Sequence, residues 1–485
     1  MGRAGHKETP MTTMIPRNIS FEILSTEKIE KIHEASLHLI EKTGMKISGE
    51  RTIALLRENG IVPDADGRTR IPRSMVDNAL KTAPKELTLY TREGEPCMVI
   101  NTGNPVYFGT HADQLELVDP FTGKAREFMK KDTAMMCKLA DALPNIHFVL
   151  SVGMSKDIAP EVQTQVSFLE TVMNFSKTIN FSTNDIESLQ EVIDMAAIVA
   201  GGHDRLSEKP FIFNYCEPLP PLNHPVESTE KLFISAKNRI PVVYMPYCMM
   251  GGTAPMSFAG TLAQCNAEAL VGLVITQLVS EGAPFIYGAM PSIMDMKTTI
   301  GSYGAVEFHL LIAAASEIVS YYGLPFYGTA GCTDAKVLDE QAAVEATMEI
   351  FSTILSKANI VHDVGVADHC NSVCPELVVL ADEIIEMLKH YTQGVDVDTE
   401  TLTMDVIEKV GPGGQYLNEP HTMRNFKKVF YPSLFSRKMK NPEESEVRGR
   451  IRDKIRKIME THHVPKLDDA VLKELHKWYA KYEAN

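Results

Sequence analysis

Four short apolar stretches, each opened by a proline and each rich in aromatic residues, recur through the middle of the chain. They read PFIFNY at 210–215, PVVYMPY at 241–247, PFIYG at 284–288 and PFYG at 325–328, with successive prolines 31 to 43 residues apart. Continuous apolar runs are typical of strands buried on both faces, and this spacing leaves room for one helix between strands. The pattern predicts parallel βαβ units.

Similar runs near residues 106, 148, 179 and 360 bring the number of predicted strands to eight, seven of them followed by a helical pattern. Eight units over roughly 290 residues favour a TIM (β/α)8 barrel, an α/β fold. A doubly wound sheet fits less well, because no glycine-rich dinucleotide fingerprint follows the first strand. We predict a helical N-terminal extension at 1–104, the barrel at 105–392 with a β-hairpin insertion at 113–130, and a helical C-terminal extension at 393–485.

Composition narrows the class of protein. The 485 residues carry a net charge of −15, which argues against binding to nucleic acid. The eight cysteines are dispersed without a CxxC pair, which is typical of a reducing compartment. The first twenty residues lack the apolar core of a signal peptide, and the apolar helix predicted at 258–280 contains too many polar residues for a membrane span. We therefore predict a cytoplasmic protein without membrane or nucleic-acid partners.

In a barrel, the loops after the strands form the catalytic mouth. Aromatic residues with scattered carboxylates occupy these strand ends, and such a mixture suits a cation that donates no hydrogen bond, such as a quaternary ammonium. Any single one of these aromatics is also explained as a cap on the barrel core. The candidates for a cation cage are Tyr107, Phe181, Tyr215, Tyr247, Tyr287 and Tyr327.

A metal site is the alternative interpretation of the barrel mouth. His362, Asp363 and His369 are close in sequence, and they would serve a metal-dependent TIM-barrel lyase or hydrolase. The chain has no HxH or HExxH motif. On a regular strand, His362 and Asp363 would also point to opposite sides. We therefore predict no metal ligands.

Several ordered motifs then resemble the trimethylamine:corrinoid methyltransferase family over about residues 20–440. They are AQCNAE at 263–268, GAPFIYG at 282–288, MDM at 294–296, GAVE at 304–307, TDAK at 333–336 and GPGGQYL at 411–417, followed by His421. The resemblance implies a TIM barrel that passes a methyl group from an amine to the Co(I) corrinoid of a small partner protein. This chain has no Asp-x-His motif to hold a corrinoid itself.

One departure bears on the substrate. The trimethylamine enzymes carry pyrrolysine in the loop that matches 330–334, where this chain has only standard residues. Members without pyrrolysine resemble quaternary-amine methyltransferases that act on glycine betaine, proline betaine or carnitine. Cys332 in this loop is not interpreted as a replacement nucleophile. A non-catalytic betaine-binding protein is the remaining alternative.

A quaternary nitrogen has no lone pair and leaves as a neutral amine, so the barrel needs positioning and a dry cage more than a general acid. We predict that Glu217, His111 and His362 join the aromatic cage in substrate binding. Asp295, Glu307 and Asp334 are the predicted catalytic carboxylates. Gly251, Gly252, Gly413 and His421 are predicted to contact the corrinoid of the partner, with no cofactor tightly bound to this chain. The apolar helices and long extensions also predict a homo-oligomer.

Overall fold

The computed structural model describes residues 19, 21–103, 105–356, 358–437 and 446–483. At its centre lies a closed barrel of eight parallel strands, each paired with its neighbour in chain order and the eighth with the first. All eight predicted strands are confirmed. They are β1 (Tyr107–Thr110), β2 (Ile146–Leu150), β3 (Thr178–Phe181), β4 (Ile212–Cys216), β5 (Val242–Tyr244), β6 (Phe285–Gly288), β7 (Phe326–Thr329) and β8 (Ile360–Val364).

One helix follows each strand and covers the outside of the barrel, as the TIM-barrel prediction requires. The strands are short and, apart from the half-buried Tyr215 of β4, fully buried, because side chains fill the inside while helices cover the outside. The helices are α1 (Lys130–Ala142), α2 (Gln163–Asn174), α3 (Ile186–Ala200), α4 (Val226–Asn238), α5 (Phe258–Val279), α6 (Val306–Tyr321), α7 (Glu340–Leu355) and α8 (Pro375–Thr392). Short helices at Pro160–Val162 and His203–Glu208 precede α2 and follow α3.

Helix α5 is long and apolar enough to cross a membrane by composition alone, but 89% of its most apolar window is buried inside the protein. The N-terminal segment accounts for part of this burial. Ser36 donates a hydrogen bond to the Ala263 carbonyl and accepts one from Asn266, both on α5, at 2.9 Å. Helix α5 is therefore apolar on all sides because it lies between the barrel and the N-terminal segment.

The N-terminal segment mixes helices and strands, where the sequence predicted helices alone. Its helices are Thr26–His38, Leu39–Thr43 (a π-helix), Glu50–Glu58 and Arg73–Thr82. Strand Lys46–Ile47 pairs with Asn223–His224, and Leu87–Tyr90 pairs with Pro96–Ile100. These short strands depend on partners distant in sequence or on edge pairing, which helical periodicity does not reveal.

Two small sheets lie beside the mouth. In the predicted insertion, Glu116–Val118 and Ala125–Glu127 form an antiparallel hairpin. The hairpin is extended by Ser372–Val373 and Val366–Ala367 from the loop after β8. The second sheet joins Met249–Met250, Ser292–Met294 and Gly301–Ser302, from the loops after β5 and β6. Loops from distant parts of the chain are thus tied together at the carboxyl end of the barrel.

The described parts of the C-terminal segment contain helices joined by irregular stretches. Its helices are Thr399–Leu402, Met404–Val410, Pro420–Asn425, Phe426–Lys428 (a 3-10 turn), Val447–Thr461 and Asp469–Glu483. Helix Val447–Thr461 packs on α8 through the buried Glu376 carboxylate, which accepts hydrogen bonds from Arg448 and Arg452 at 3.1 and 2.9 Å. Charge pairing inside an otherwise apolar contact fixes the orientation of this helix.

Candidate active site

The inward face of the barrel carries a column of aromatic side chains. Side chains alternate along a strand, so Phe213, Tyr215 and Glu217 share one side of β4 and its extension. Tyr327 from β7 meets this column, with ring centroids 6.2 Å from Phe213 and 6.0 Å from Tyr215. The Tyr327 hydroxyl accepts a hydrogen bond from Asn180 on β3 at 3.1 Å. The floor of the mouth is therefore a packed aromatic layer with few free polar groups.

Strand β8 contributes two polar side chains to the same side. Its pairing with β1 shifts register between Val361 and Val364, and Asp363 has a φ of 73°. The His362 ring lies 4.9 Å from Tyr327, and Thr329 Oγ1 donates to Asp363 Oδ2 at 2.6 Å. The expectation that the two residues point to opposite sides is therefore wrong, because a bulge interrupts the alternation.

Asp363 is buried, and its second carboxylate oxygen, Oδ1, accepts no hydrogen bond in the described structure. His362 Nε2 lies 3.5 Å from this oxygen, and Nδ1 of the same ring is bonded to the Gly328 carbonyl at 2.9 Å. Burial raises the pKa of Asp363. A buried oxygen without a partner, on a backbone in a rarely populated conformation, is typical of a ligand site.

Glu217 forms the second acidic group of the mouth. Its side chain is reached by solvent, and it accepts a hydrogen bond from the Tyr215 hydroxyl. Desolvation by the surrounding protein raises the pKa of Glu217 to about 7. The charges of Asp363 and Asp113 add to this rise, whereas the hydrogen bond from Tyr215 and the charge of Lys231 oppose it. Burial also raises the pKa of Asp113 to about 6. The mouth therefore concentrates carboxylates that would be stabilised by a cation.

Tyr247 and Tyr303 form a further wall near Glu217 and Asp363. A Cβ on Gly301 would lie 2.5 Å from the Tyr247 hydroxyl, so glycine is needed for this close approach. Burial raises the pKa of Tyr303 well above its ordinary value, and the nearby Cys370, Tyr247 and Asp363 contribute. We call Tyr215, Tyr247, Tyr303, Tyr327, Glu217 and Asp363 the mouth cluster.

Asp334, predicted to be catalytic, lies beside this cluster and supports it. Its Oδ1 accepts a hydrogen bond from the Tyr303 backbone N–H at 2.7 Å, and its other oxygen accepts one from Ser302. His369 Nδ1 lies 2.9 Å from Oδ1. Asp334 therefore holds the loop that carries Tyr303.

The other two predicted catalytic carboxylates lie away from the cluster. Asp295 is in an exposed turn, where it accepts hydrogen bonds from the Lys297 backbone N–H and the Thr298 hydroxyl, both at 2.9 Å. The first of these bonds holds the pKa of Asp295 below its usual range. Glu307 lies in the first turn of α6, where the helix dipole stabilises a negative carboxylate. Both positions are explained by local structure.

Three predicted cage aromatics are not brought to the mouth. Tyr287 faces the helix layer, where its hydroxyl donates to Asn266 Oδ1 at 2.7 Å. Phe181 packs against Phe168 of α2. Tyr107 lies at the start of β1, and its hydroxyl accepts from the Val99 backbone N–H. A strand-end position did not distinguish inward from outward side chains, whereas strand alternation separates Tyr287 and Phe181 from the cluster.

His111 follows β1 with a φ of 77° and is fully buried. Neither ring nitrogen has a hydrogen-bond partner in the described structure, and burial lowers the pKa of the imidazole to about 3. The ring is therefore neutral, with one N–H left to donate.

The four residues that were predicted to contact the corrinoid lie in two separate parts of the structure. Gly251 and Gly252 lie in the turn after the strand Met249–Met250 beside the mouth, where a Cβ on Gly251 would meet the sulfur atoms of Met296 and Met256 at 3.0 and 3.1 Å. Gly413 and His421 lie beyond α8, in a segment where Lys409 of the helix Met404–Val410 donates to Glu419, the residue before the helix Pro420–Asn425, at 2.7 Å. The structure thus brings only the first pair near the cluster.

Cys332 is buried behind β7. Its backbone N–H donates to Glu349 at 2.7 Å, its thiol lies 3.1 Å from the same carboxylate, and His309 lies 3.2 Å from it. Burial, with the nearby Glu349 and Asp363, raises the pKa of Cys332 well above its ordinary value. The group is a protonated thiol that donates to a carboxylate, which agrees with the interpretation that it is not a nucleophile.

In the ranges that the structure describes, no group of three or more His, Cys, Asp and Glu side chains is arranged to hold a metal ion. His369, one of the three residues of the alternative metal site, lies with Nδ1 2.9 Å from Asp334 Oδ1. The two other residues, His362 and Asp363, belong to the aromatic mouth.

Sequence reasoning missed Tyr303 as a wall residue and placed Asp363 only in a metal site. Tyr303 reaches the mouth from the loop between β6 and α6, and no local pattern marks it. Asn180 did carry a signal, because it is a polar residue at an inward position of an otherwise apolar strand.

This barrel belongs to a family of methyltransferases. Residues 2–485 match the model described as trimethylamine methyltransferase (MTTB), and the chain belongs to this family. It is 30% identical to the glycine betaine methyltransferase of Desulfitobacterium hafniense strain Y51, over 97% of this chain and 98% of the relative. It is 31% identical to the trimethylamine methyltransferase MttB of Desulfitobacterium hafniense strain DCB-2, over 86% and 84%.

Among solved structures, the monomethylamine methyltransferase MtmB of Methanosarcina barkeri is similar in fold. The TM-score is 0.54 at 14% sequence identity, over 92% of this chain and 90% of that chain. This likeness supports the barrel architecture. The chain is therefore a methyltransferase with a TIM-barrel fold.

Proposed function

We propose that this methyltransferase takes a methyl group from a quaternary amine of the betaine class and passes it to the Co(I) corrinoid of a separate protein. The observation that supports this most directly is the mouth cluster, in which Tyr303 and Tyr327 lie near the buried Asp363 carboxylate, whose Oδ1 accepts no hydrogen bond in the described structure. The similarity to a glycine betaine methyltransferase over nearly the full chain agrees with it. Standard residues at 330–334, where the trimethylamine enzymes carry pyrrolysine, point in the same direction.

The cluster suits a permanent cation for two reasons. Aromatic faces attract a cation by about 2 kcal/mol when water is excluded, and a quaternary ammonium needs no hydrogen-bond acceptor. The carboxylates of Asp363 and Glu217 supply counter-charge from β8 and from the end of β4. His111 is the candidate donor for the ligand carboxylate, because its N–H is buried without a partner.

The reaction places modest demands on this chain. The corrinoid of the partner supplies the nucleophile when it is bound: the C–N bond breaks, its electron pair stays on nitrogen, and the methyl group passes to Co(I). The leaving amine needs no proton, so no residue of the mouth has to act as a general acid. The tyrosine walls orient one methyl group toward the opening and exclude water.

An apolar rim supports the proposed site for the corrinoid protein. Six side chains from loops after five different strands are 37–61% exposed around the mouth: Leu115, Met154, Leu219, Met256, Met296 and Ile300. Methionine adapts to irregular partner surfaces, and a corrinoid ring presents large apolar edges. No cofactor is proposed to stay bound to this chain. We also expect a soluble, cytoplasmic homo-oligomer.

The test mixes the purified protein with Co(I) cobalamin and glycine betaine, proline betaine or carnitine, and follows methylated cobalamin by absorbance. Methyl transfer from at least one of the three is expected. Failure with all three would contradict the proposal, and binding without transfer would instead support a betaine-binding protein.

Variants of Tyr215 test the cage. We expect Tyr215→Leu to raise the Kd of the betaine about tenfold, because the cation loses a π face. Tyr215→Phe keeps the face and should bind within a few-fold of the wild type. Tyr321→Leu is the matched control, since Tyr321 is exposed on α6. Equal affinity for the Leu and Phe variants would remove Tyr215 from the cage.

The rim has its own test. Met256→Glu with Met296→Glu should slow transfer to a protein-bound corrinoid while leaving transfer to free cobalamin unchanged, because only a protein partner covers the rim. Equal loss with both acceptors would place these methionines in the substrate site, and no loss with either would remove them from the docking surface.

A further inference from the structure

Residues 393–431, here called the arm, have no buried side chain. The arm leaves the end of α8 at Thr392 and returns to the same helix. There the Phe430 ring lies 4.6 Å from His390, and Ser433 bonds to Glu383. Its helices Thr399–Leu402, Met404–Val410 and Pro420–Asn425 contain no buried residue. The arm is therefore a defined excursion whose side chains stay partly or fully exposed among the described residues.

The composition of this uncovered segment is that of an interface. Eleven large apolar side chains of the arm are 43–86% exposed: Val395, Val397, Leu402, Met404, Ile407, Tyr416, Leu417, Met423, Phe426, Val429 and Tyr431. Helices of 4 to 7 residues do not persist in water without tertiary contacts. An ordered arm of this composition needs a partner surface.

A neighbouring apolar patch lies on the same chain. Val344 and Met348 are exposed one turn apart on α7, and Met387 and Tyr391 are exposed one turn apart on the adjacent α8. Tyr391 is at the base of the arm, and its ring lies 5.7 Å from Phe351 of α7. The base of the arm therefore lies beside an exposed apolar patch of α7 and α8.

The charges of the arm are separated in a way that complements itself. Its first part, 393–410, carries five carboxylates and one lysine. Its second part, 411–431, carries one carboxylate and three cations. When two identical arms are related by a two-fold axis, the acidic part of one faces the basic part of the other.

Other occupants fit less well. Residues 1–18 and 438–445, outside the described ranges, contain only five large apolar residues, too few to cover eleven. The base of the arm also lies opposite the mouth, because Lys389 near the end of α8 bonds to Asn145, which precedes β2, at 2.6 Å. A methyl acceptor at the mouth would therefore not reach this base.

We infer that the arm is a dimerisation element, which packs on the arm and the α7–α8 patch of a second copy of this chain around a two-fold axis. The exposed apolar side chains of the arm represent an area on the order of 1,000 Å² per copy. A standard protein–protein interface buries about 800 Å² on each partner, so the arm is large enough to form one. This inference is independent of the substrate proposed above.

The test is the mass of the full chain in solution, measured by light scattering after size-exclusion chromatography at micromolar concentration. The wild type is expected at twice the mass of one chain, or a multiple of it. Leu417→Glu with Met423→Glu should reduce the mass to that of one chain while the circular dichroism spectrum stays unchanged. Val62→Glu, at a residue that is 65% exposed on the N-terminal segment, should keep the wild-type mass. A monomeric wild type, or a double variant that still assembles, would overturn the inference.

Charge reversal tests the two-fold arrangement. Asp405→Lys with Glu408→Lys should weaken assembly, as should Lys427→Glu with Lys428→Glu. All four changes in one chain should restore assembly, because reversed charges then face each other across the axis. Failure of the restoration would overturn the antiparallel pairing of the arms.

Hydrogen exchange identifies a different occupant if the wild type is monomeric. Arm amides that lose protection when residues 1–18 are removed would assign the cover to the N-terminal segment of the same chain. Arm amides protected only after addition of a corrinoid protein would assign it to that partner. Either result would replace the second copy.

Discussion

Lowering the pH from 8 to 6 will weaken binding of a quaternary ammonium ligand, and Glu217 will account for the change. Its pKa is raised to about 7, so the carboxyl is charged above this pH and neutral below it. The groups that face it are Tyr215, Asp363, Asp113 and Lys231. The raised pKa of Asp363 shifts the affinity in the same direction, because its protonation also removes negative charge from the mouth.

The magnitude follows from the ionised fraction. With a pKa of about 7, roughly 90% of Glu217 is ionised at pH 8 and roughly 10% at pH 6. If the cation binds only the ionised form, the Kd rises by nearly tenfold over this interval. The ligand carboxylate stays charged throughout, so the change reports on the protein.

Isothermal titration calorimetry with glycine betaine at pH 6, 7 and 8 measures the effect. Glu217→Gln should bind weakly and with little dependence on pH, whereas Glu227→Gln, an exposed glutamate at the start of α4, should follow the wild type. The isosteric anion 3,3-dimethylbutanoate lacks the positive nitrogen, and its affinity should not rise with pH. A wild-type Kd that is constant from pH 6 to 8 would refute the reasoning, as would an unchanged pH dependence in Glu217→Gln.

Two further predictions concern packing. Gly109→Ala places a Cβ 2.3 Å from ring carbons of Phe148, so we expect a loss of about 1–3 kcal/mol in the free energy of unfolding by urea. Gly449→Ala, in a helix with no atom closer than 3.8 Å, should be neutral or stabilising by up to about 1 kcal/mol. Cys332 should resist alkylation in the folded protein at pH 8 and react after unfolding, and Cys332→Ser should retain methyl transfer. Rapid labelling of the native thiol would contradict its hydrogen bond to Glu349.

Much of the barrel could be predicted because its signals are local. Each strand is a short, largely apolar run, six of the eight begin near a proline, and a helical pattern separates each from the next, so the eight strands fell where expected. The short strands Lys46–Ile47 and Leu87–Tyr90 were not predicted. Two or four residues contain too little periodicity to distinguish a strand from a loop when the partner lies elsewhere.

The residues of the candidate site were likewise predicted only in part. The sequence by itself placed Tyr215, Glu217, Tyr247 and Tyr327 at or just beyond the ends of apolar strands, and all four lie in the mouth cluster. Only the tertiary structure decided the place of Asp363 and Tyr303. Asp363 turns inward because β8 is bulged against β1, and Tyr303 arrives on a loop held by Asp334. Both depend on pairing between distant segments, which no local pattern of residue types records.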